Sequence, residues 1–147
     1  MITVSRYHDF CCGHRVVGHE GKCKQLHGHE YRIHFECAAP DLDQVGRVID
    51  FSIIKECLCN WLEDQWDHKF LLWQQDPILN TVFRDVPSVA LLGIELVPFN
   101  PTAENIGYYL LHTICPSLLG HGLVKVVSIT VEETKKCSAK VTLDERL

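Results

Sequence analysis

The chain has 147 residues, a formal net charge of −5 and 46% hydrophobic residues, values typical of one globular domain. The acidic charge disfavours a nucleic-acid partner, because the phosphates of nucleic acids bind basic surfaces. No apolar run approaches the roughly 18 residues of a membrane span, and the first residues lack the pattern of a signal peptide. We therefore expect a single domain over residues 1–147, located in the cytoplasm, with neither a nucleic-acid nor a membrane partner.

The eight cysteines are scattered along the chain and do not predict a disulfide framework. Five of them lie inside apolar patterns: Cys37, Cys57, Cys59, Cys115 and Cys137. In a reducing compartment, cysteines in such positions act as small buried hydrophobes. We expect that role for these five.

The first 38 residues predict two strands separated by a loop. The segment ITVSRYHDFCC (2–12) is rich in β-branched and aromatic residues, which favour a strand. The next segment, VVGHEGKCKQL (16–26), is polar with two glycines and is predicted to be a loop. The segment HGHEYRIHFECA (27–38) alternates between apolar and polar residues and predicts the second strand.

The remainder of the chain predicts two helices followed by two strands. Apolar residues recur at helical spacing from Phe51 to about Trp66, with Asp50 or Ser52 as the cap. A second helix is predicted from Thr102, its N-cap, to residue 115, and strands over 124–134 and 138–143. Between the helices, residues 67–77 are predicted to be irregular, 78–86 a short helix and 93–99 a short strand.

This order of elements predicts an α+β fold, with the helices on one face of a four-stranded antiparallel sheet. Such a sheet has two open edges, and edges are points at which another chain can pair. Pairing between subunits would remove these edges. We therefore expect self-association.

Histidines are concentrated at the start of the chain, and their spacing predicts a metal site. His27 and His29 are two residues apart on a predicted strand, so both imidazoles lie on one face. His14, at the end of the preceding strand, is the candidate third ligand, and three histidines leave zinc an open position for catalysis. The alternative is that His27 and His29 are ordinary polar strand residues. The remaining histidines are predicted to be surface or packing residues: His8, His19, His34, His112 and His121.

Other polar residues lie where proton transfer or substrate binding could occur. Cys23, flanked by two lysines in the loop, is a candidate thiolate base or nucleophile, although a fourth metal ligand remains an alternative. Asp67 and His68 form a candidate acid–base pair in which the carboxylate fixes the imidazole tautomer. One carboxylate of the pair Glu132-Glu133, at the end of a strand, could bind the amidine-like edge of a heterocycle. Capping or solvated carboxylates are the alternative at both places.

Six motifs in chain order resemble the 6-pyruvoyl-tetrahydropterin synthase and 6-carboxy-tetrahydropterin synthase family. The motifs are FCCGHR (10–15), CKQLHGHEY (23–31), GRVIDFSIIK (46–55), WDHKFLL (66–72), NPTAENIG (100–107) and VEET (131–134). The resemblance implies a tunnelling fold (T-fold), with two antiparallel helices on a four-stranded antiparallel sheet. Three subunits would join their sheets into a β-barrel, and two trimers would stack into a homohexamer with active sites between subunits.

The resemblance also implies a role for each site residue. The implied ligands of one Zn²⁺ per subunit are His14, His27 and His29. The implied proton-transfer residues are Cys23, as the thiolate, and Asp67 and His68. The implied substrate-contacting residues are Glu133, as the anchor of the pterin ring, and Thr102 and Glu104, which would help to line the pocket. Candidates for offsetting the triphosphate charge are Arg15, Lys24 and Lys55.

The spacing between the thiol and the HGH motif bears on the product. Pyruvoyl-forming animal-type enzymes resemble C-x5-HGH, whereas the bacterial carboxy-forming enzymes of queuosine biosynthesis resemble C-x3-HGH. Cys23 and His27 enclose three residues. The resemblance therefore implies conversion of 7,8-dihydroneopterin triphosphate to 6-carboxy-5,6,7,8-tetrahydropterin, acetaldehyde and triphosphate. The alternatives are a 6-pyruvoyl-tetrahydropterin synthase or another pterin side-chain lyase, and a non-catalytic zinc-binding relative.

Two features depart from the family pattern. The family more often has two alanines where this chain has Cys12 and Gly13, so Cys11 and Cys12 are additional thiols near the expected metal. The stretch between His68 and Pro101 is longer than in the shortest members, and it could serve as a lid or as a subunit contact.

Overall fold

The computed structural model describes residues 1–120 and 122–144, and six strands of this part form one mixed sheet. The strands are β1 (Thr3–His14), β2 (His27–Ala38), β3 (Lys69–Trp73), β4 (Ile94–Val97), β5 (Lys125–Glu132) and β6 (Ser138–Thr142). Their order across the sheet is β4-β3-β1-β2-β5-β6. His121, one of the histidines predicted to have a surface or packing role, lies outside the described residues.

The antiparallel part of the sheet agrees with the sequence-based prediction. β1 and β2 pair along their whole length, from Thr3 opposite Ala38 to His14 opposite His27. β2 also pairs antiparallel with β5, and β5 with β6. The four strands β1-β2-β5-β6 are therefore the predicted four-stranded antiparallel sheet.

Two further strands extend this sheet beyond β1. β3 pairs in parallel with β1 at Cys12–His14, and β4 pairs in parallel with β3. The prediction that residues 67–77 are irregular was wrong for β3, whereas the short strand within 93–99 is present as β4. β3 was missed because Leu71 and Leu72 are both buried, and a continuous apolar run lacks the alternation that identifies a half-buried strand. The helix expected over 78–86 is only a 3-10 turn, Pro77–Asn80.

Two long helices cover one face of the sheet. Helix α1 (residues 51–65) consists of the α-helical segments Phe51–Ile54 and Asn60–Gln65 around a π-helical segment, Lys55–Cys59. The side chain of Asp50 caps α1 by accepting a hydrogen bond from the backbone N–H of Ser52. Helix α2 (residues 103–119) has the same construction, with Ala103–Tyr109, Leu110–Ile114 and Cys115–Leu119. None of the helices in residues 1–120 and 122–144 is long and apolar enough to cross a membrane.

The hydrophobic core lies between these helices and the sheet. The largest buried side chains of β2 are Tyr31, Ile33 and Phe35, which alternate along the strand as predicted. Residues of both helices complete the core: Ile54, Leu58, Leu62, Ile106, Leu110 and Leu111. The same alternation places the side chains of His27 and His29 on this face of the sheet. The two histidines therefore lie at the end of the core.

All eight cysteines are free, in agreement with the prediction against a disulfide framework. Cys37, Cys59 and Cys115 are buried and Cys57 is partly buried, as expected for small hydrophobes. Cys137 is exposed. Its prediction as a buried residue was wrong, because it lies in the turn between β5 and β6 rather than in a strand.

Close packing of α2 on the sheet depends on Gly107. A Cβ atom at this position would lie 2.9 Å from Val141 Cγ2 and 3.3 Å from Val131 Cγ2. We expect Gly107→Val to lower the free energy of unfolding by about 1–3 kcal/mol, because the added side chain overpacks the helix–sheet contact. Thr113→Val, at an exposed position of the same helix, is the control and should change stability little. Urea denaturation measures both, and equal stability of the two variants would contradict this packing.

Candidate metal centre

Three imidazoles converge at the end of the core where β1 and β2 begin their loop. His14 lies directly opposite His27 in the antiparallel ladder, and His29 is two residues further along the same face. His14 is fully buried, and its Nε2 lies 3.0 Å from His27 Nε2. The three ring centroids are 4.6–5.1 Å apart. The structure thus brings together the three histidines that the sequence analysis selected.

Backbone carbonyls orient two of these rings. His14 Nδ1 lies 2.7 Å from the carbonyl oxygen of Pro101, and His27 Nδ1 lies 2.7 Å from that of Gln25. A carbonyl oxygen only accepts hydrogen bonds, so each Nδ1 carries the proton and donates it. In the neutral rings, both Nε2 atoms then keep a lone pair. This arrangement is the usual outer shell of histidines that bind metals.

The facing lone pairs fit a cation. Two imidazole nitrogens bound to one tetrahedral zinc at about 2.0–2.1 Å would be separated by about 3.3 Å, close to the spacing of His14 and His27. His29 Nε2 is buried, and although Glu133 Oε1 lies 3.0 Å away, the two atoms are not aligned for a hydrogen bond. A bound cation would satisfy this atom. The residues present therefore fit zinc, and the nitrogen donors suit it better than they suit magnesium or calcium.

Glu133 adds a carboxylate to the cluster. Its Oε1 lies 3.1 Å from His14 Nε2 and 3.0 Å from His29 Nε2. The four donor atoms all lie within 4.8 Å of one another. The close contact with His14, followed by the nearby imidazoles, holds the pKa of Glu133 below its usual value, whereas burial lowers the pKa of His29. Glu133 is thus anionic beside the neutral form of His29, a charge pattern that attracts a cation.

The position of Glu133 beside these three histidines was not predicted from the sequence. Glu132 pairs with Arg32 at the end of β5, so Glu133 follows on the same face as Val131, which is the core face. Continuing this alternation one residue past the strand could have predicted its direction. The contact with His14 and His29 depends on pairing between distant strands and could not be read from spacing.

Tyr31 closes the inner side of the cluster. The rings of His14 and His29 stand edge-on to it, at centroid distances of 5.9 and 5.7 Å. Its hydroxyl is buried without a hydrogen-bond partner among the described residues, and burial raises its pKa. Tyr31 therefore remains a neutral phenol that separates the polar cluster from the core.

Cys23 lies near the metal cluster but outside it. It occupies the 3-10 turn Lys22–Lys24 in the loop between β1 and β2 and is partly exposed. Its backbone carbonyl accepts a hydrogen bond from the N–H of Val16 at 2.7 Å. Within residues 1–120 and 122–144, the group able to hold a metal consists of three histidines and a glutamate, without a thiol.

Asp67 and His68 form a pair at a separate place on the chain. Asp67 Oδ2 lies 2.6 Å from His68 Nδ1, and Asp67 Oδ1 accepts a hydrogen bond from the N–H of Cys11 at 3.0 Å. Burial opposes ionisation of Asp67, but these hydrogen bonds outweigh it and lower its pKa. The carboxylate thus fixes the predicted tautomer of His68, with Nε2 free.

The backbone at His68 is unusual. Its φ angle is +60°, a left-handed conformation that is uncommon for residues other than glycine and that concentrates at functional sites. The side chain is 80% exposed. No hydrogen bond or ion pair joins Asp67 or His68 to Cys23 within the described part of one chain, so the predicted triad is not assembled there.

The other candidates have varied surroundings. Thr102 is the N-cap of α2, as predicted, and its Oγ1 accepts a hydrogen bond from the N–H of Asn105 at 3.1 Å. Glu104 is exposed in the first turn of α2. Arg15 is bound to Asp76, whereas Lys24 and Lys55 are exposed, with Lys55 on helix α1. No substrate contact follows from these positions alone.

Four further histidines in the described part of the chain have the packing and surface roles expected of them: His8, His19, His34 and His112. His8 Nε2 lies 2.7 Å from Glu63 Oε2, and His34 is paired with Glu132 across β2 and β5. His19 Nδ1 accepts a hydrogen bond from the N–H of Gly21 at 2.8 Å. The ring of His112 lies against that of Tyr108, with 4.2 Å between the centroids and a tilt of 37° between the planes.

Solved structures share this fold. An uncharacterized protein of Wolinella succinogenes, WS1659, superposes with a TM-score of 0.83 and 25% identity, over 97% of this chain and 98% of that one. The 6-pyruvoyl tetrahydropterin synthase of Plasmodium vivax superposes with a TM-score of 0.71 over 98% of this chain and 99% of its own. Its 22% identity supports the fold alone.

Sequence comparison is more specific. Proteins of Rickettsia bellii and Rickettsia typhi named 6-carboxy-5,6,7,8-tetrahydropterin synthase are 35% and 36% identical to this chain, over 96% of it and the whole of each relative. The model of the 6-pyruvoyl tetrahydropterin synthase family matches residues 3–144. The three-histidine cluster, the fold and these matches agree, and the chain belongs to the 6-pyruvoyl tetrahydropterin synthase family.

Proposed function

We propose that this chain is a zinc-dependent 6-carboxy-5,6,7,8-tetrahydropterin synthase acting in the cytoplasm. Its family membership makes it a lyase-type enzyme that acts on a pterin. The observation that carries the zinc assignment is the convergence of the Nε2 atoms of His14 and His27 with that of His29 beside Glu133. The choice of product is supported by the names of the Rickettsia relatives and by the three-residue gap between Cys23 and His27.

The proposed reaction converts 7,8-dihydroneopterin triphosphate and one water molecule to 6-carboxy-5,6,7,8-tetrahydropterin, acetaldehyde and triphosphate. This product would serve the formation of queuosine or another 7-deazapurine. His14, His27 and His29 would hold one zinc per subunit, with Glu133 close to the same position. Bound zinc would supply Lewis acidity to the side-chain hydroxyls of the substrate.

The protein's own groups would move the protons. Cys23, as a thiolate, would remove a proton from the substrate side chain next to the ring. His68 would return or relay protons through Nε2, since Asp67 holds its Nδ1–H. Both groups border solvent, which gives a substrate access to them.

Glu133 would anchor the pterin. The low pKa of Glu133 keeps it ionised, and a carboxylate can accept two parallel hydrogen bonds from an amidine-like ring edge. Its present contact with two imidazoles would place that ring next to the metal. Thr102 and Glu104 would line the pocket from the N-terminal end of α2. Pro101, whose carbonyl accepts a hydrogen bond from His14, immediately precedes the N-cap.

Self-association would complete the site. No hydrogen bond or ion pair joins Cys23 to the Asp67–His68 pair within the described part of one chain, and the exposed ring of His68 has no partner for its Nε2 among the described residues. We therefore propose that the pair of one copy faces the thiol of a second copy, in a homohexamer of two stacked trimers. The open edges at β4 and β6 are available for the pairing of sheets between copies.

The product test uses purified protein incubated with 7,8-dihydroneopterin triphosphate. We expect acetaldehyde and 6-carboxytetrahydropterin in equal amounts, measured by coupled reduction of the aldehyde and by mass spectrometry. Formation of 6-pyruvoyl-tetrahydropterin without acetaldehyde would contradict the proposal in favour of the pyruvoyl-forming alternative. Absence of any pterin product in protein that contains zinc would favour the non-catalytic alternative.

The role of the thiol is tested by Cys23→Ala. We expect kcat to fall by at least about 100-fold, because the variant lacks the general base, while zinc content stays near one per subunit. Cys11→Ala removes an exposed thiol outside the metal cluster and is the matched control, with near wild-type turnover. Loss of zinc from Cys23→Ala but not from the control would instead make Cys23 a metal ligand.

A further inference from the structure

The thiol loop comprises residues 15–26. Three consecutive backbone carbonyls near its end accept hydrogen bonds from residues that directly follow β1 or begin β2. The carbonyl of Cys23 accepts from the N–H of Val16 at 2.7 Å. The next one, of Lys24, accepts from Nη1 of Arg15 at 3.3 Å. The third, of Gln25, accepts from Nδ1 of His27. The position of the thiol is therefore linked to the metal site through its own backbone.

Arg15 differs from the other two donors because a distant residue holds it. Its Nε lies 2.6 Å from Oδ2 of Asp76, which follows β3 and is only 1% exposed. The other carboxylate oxygen of Asp76 accepts from the N–H of Ile78 at 2.9 Å and caps the turn Pro77–Asn80. Because a buried carboxylate without a cation is strongly disfavoured, Asp76 fixes the guanidinium in one place.

The opposite side of the loop is held in the same way. The side chain of Asn100 accepts from the N–H of Val17 and donates to its carbonyl, both at 2.9 Å. Asn100 immediately precedes Pro101, whose carbonyl orients His14. Residues 74–101 thus contact the thiol loop at two points, through Asp76 and Asn100. Most of this segment belongs to the stretch between His68 and Pro101, for which a lid and a subunit contact were the two expected roles.

We propose that Arg15 and Asp76 form a positioning pair that sets the place of the Cys23 thiol relative to the metal site. The proposal rests on the proposed function in that Cys23 is taken as the base. Arg15 donates a hydrogen bond to the carbonyl of Lys24, next to Cys23, and its charge is neutralised by Asp76. The pair therefore holds the backbone of the loop in place beside the thiol. This removes Arg15 from the candidates for binding triphosphate.

The test compares Asp76→Asn with Asp43→Asn. Asparagine at 76 keeps an oxygen for the N–H of Ile78 but removes the charge that holds Arg15. Asp43 is a matched control, because its Oδ2 pairs with Nε of Arg47 at 2.9 Å and its Oδ1 accepts two backbone N–H groups, but the pair is exposed. Turnover and the labelling rate of individual thiols by iodoacetamide, followed by peptide mass spectrometry, are measured on zinc-loaded protein.

For Asp76→Asn we expect kcat to fall about 10- to 100-fold, since a displacement of about 1 Å in a reacting group can have an effect of this size. KM should remain within about twofold, because the pair does not bind substrate. Cys23 is partly exposed in the wild-type structure and should be labelled several-fold faster in the variant. The exposed Cys11 and Cys137 should react at wild-type rates. Zinc content should not change, and Asp43→Asn should match wild type in every readout.

Several results would overturn the proposal. A variant at 76 that melts at a lower temperature but keeps wild-type kcat and Cys23 labelling would show a purely structural pair. A fall in kcat with unchanged Cys23 labelling would show that the loop had not moved. If Asp76→Asn does not fold, Arg15→Lys decides, because lysine keeps the charge beside Asp76 but cannot make both hydrogen bonds of Arg15. If wild-type protein forms no pterin product, the proposed function fails, and the labelling rates alone test the positioning pair.

Discussion

The structure depends on the confinement of three imidazoles to the core face of an antiparallel strand pair. Burial lowers the pKa of His29, and the carbonyls of Pro101 and Gln25 orient the other two rings with their lone pairs inward. Gly28, between His27 and His29, allows the two strands to lie close together, because a Cβ atom at this position would lie only 3.3 Å from the carbonyl oxygen of Cys12. A slip of one residue in the β1–β2 register would turn the histidines to the opposite face. The complete pairing of these two strands prevents such a slip.

The parallel strands β3 and β4 connect the metal site to the rest of the molecule. β3 joins β1 at Cys12–His14, next to the first ligand, and leads directly to Asp76. β4 leads to Asn100 and to the N-terminus of α2. The two added strands therefore deliver the groups that hold the thiol loop and His14. The Asp67–His68 pair directly precedes β3, and Asn100 follows β4. The segment that contains the two strands therefore has polar groups of the site at both of its ends.

Much of the site could be predicted from the sequence because it depends on local rules. Strand alternation placed His27 and His29 on one face, and the antiparallel neighbour brought His14 across. Capping preferences identified Asp50 and Thr102. What could not be predicted depends on pairing between distant segments. β3 was hidden by its burial on both faces, and the contacts of Asp76 with Arg15 and of Glu133 with the imidazoles join residues 61 or more positions apart. The lack of a hydrogen bond or ion pair between Cys23 and the Asp67–His68 pair in the described residues of one chain is likewise a property of the folded chain, and the spacing of motifs gives no signal of it.

The central claim is that three histidine nitrogens bind zinc while the thiol of Cys23 remains outside the coordination shell. X-ray absorption at the zinc edge tests it most directly, because nitrogen and sulfur ligands differ in bond length. The account predicts scattering from nitrogen or oxygen at about 2.0–2.1 Å, with the multiple-scattering pattern of imidazole rings and no sulfur shell. A sulfur shell at about 2.3 Å would contradict it, because Cys23 would then be a ligand rather than the base.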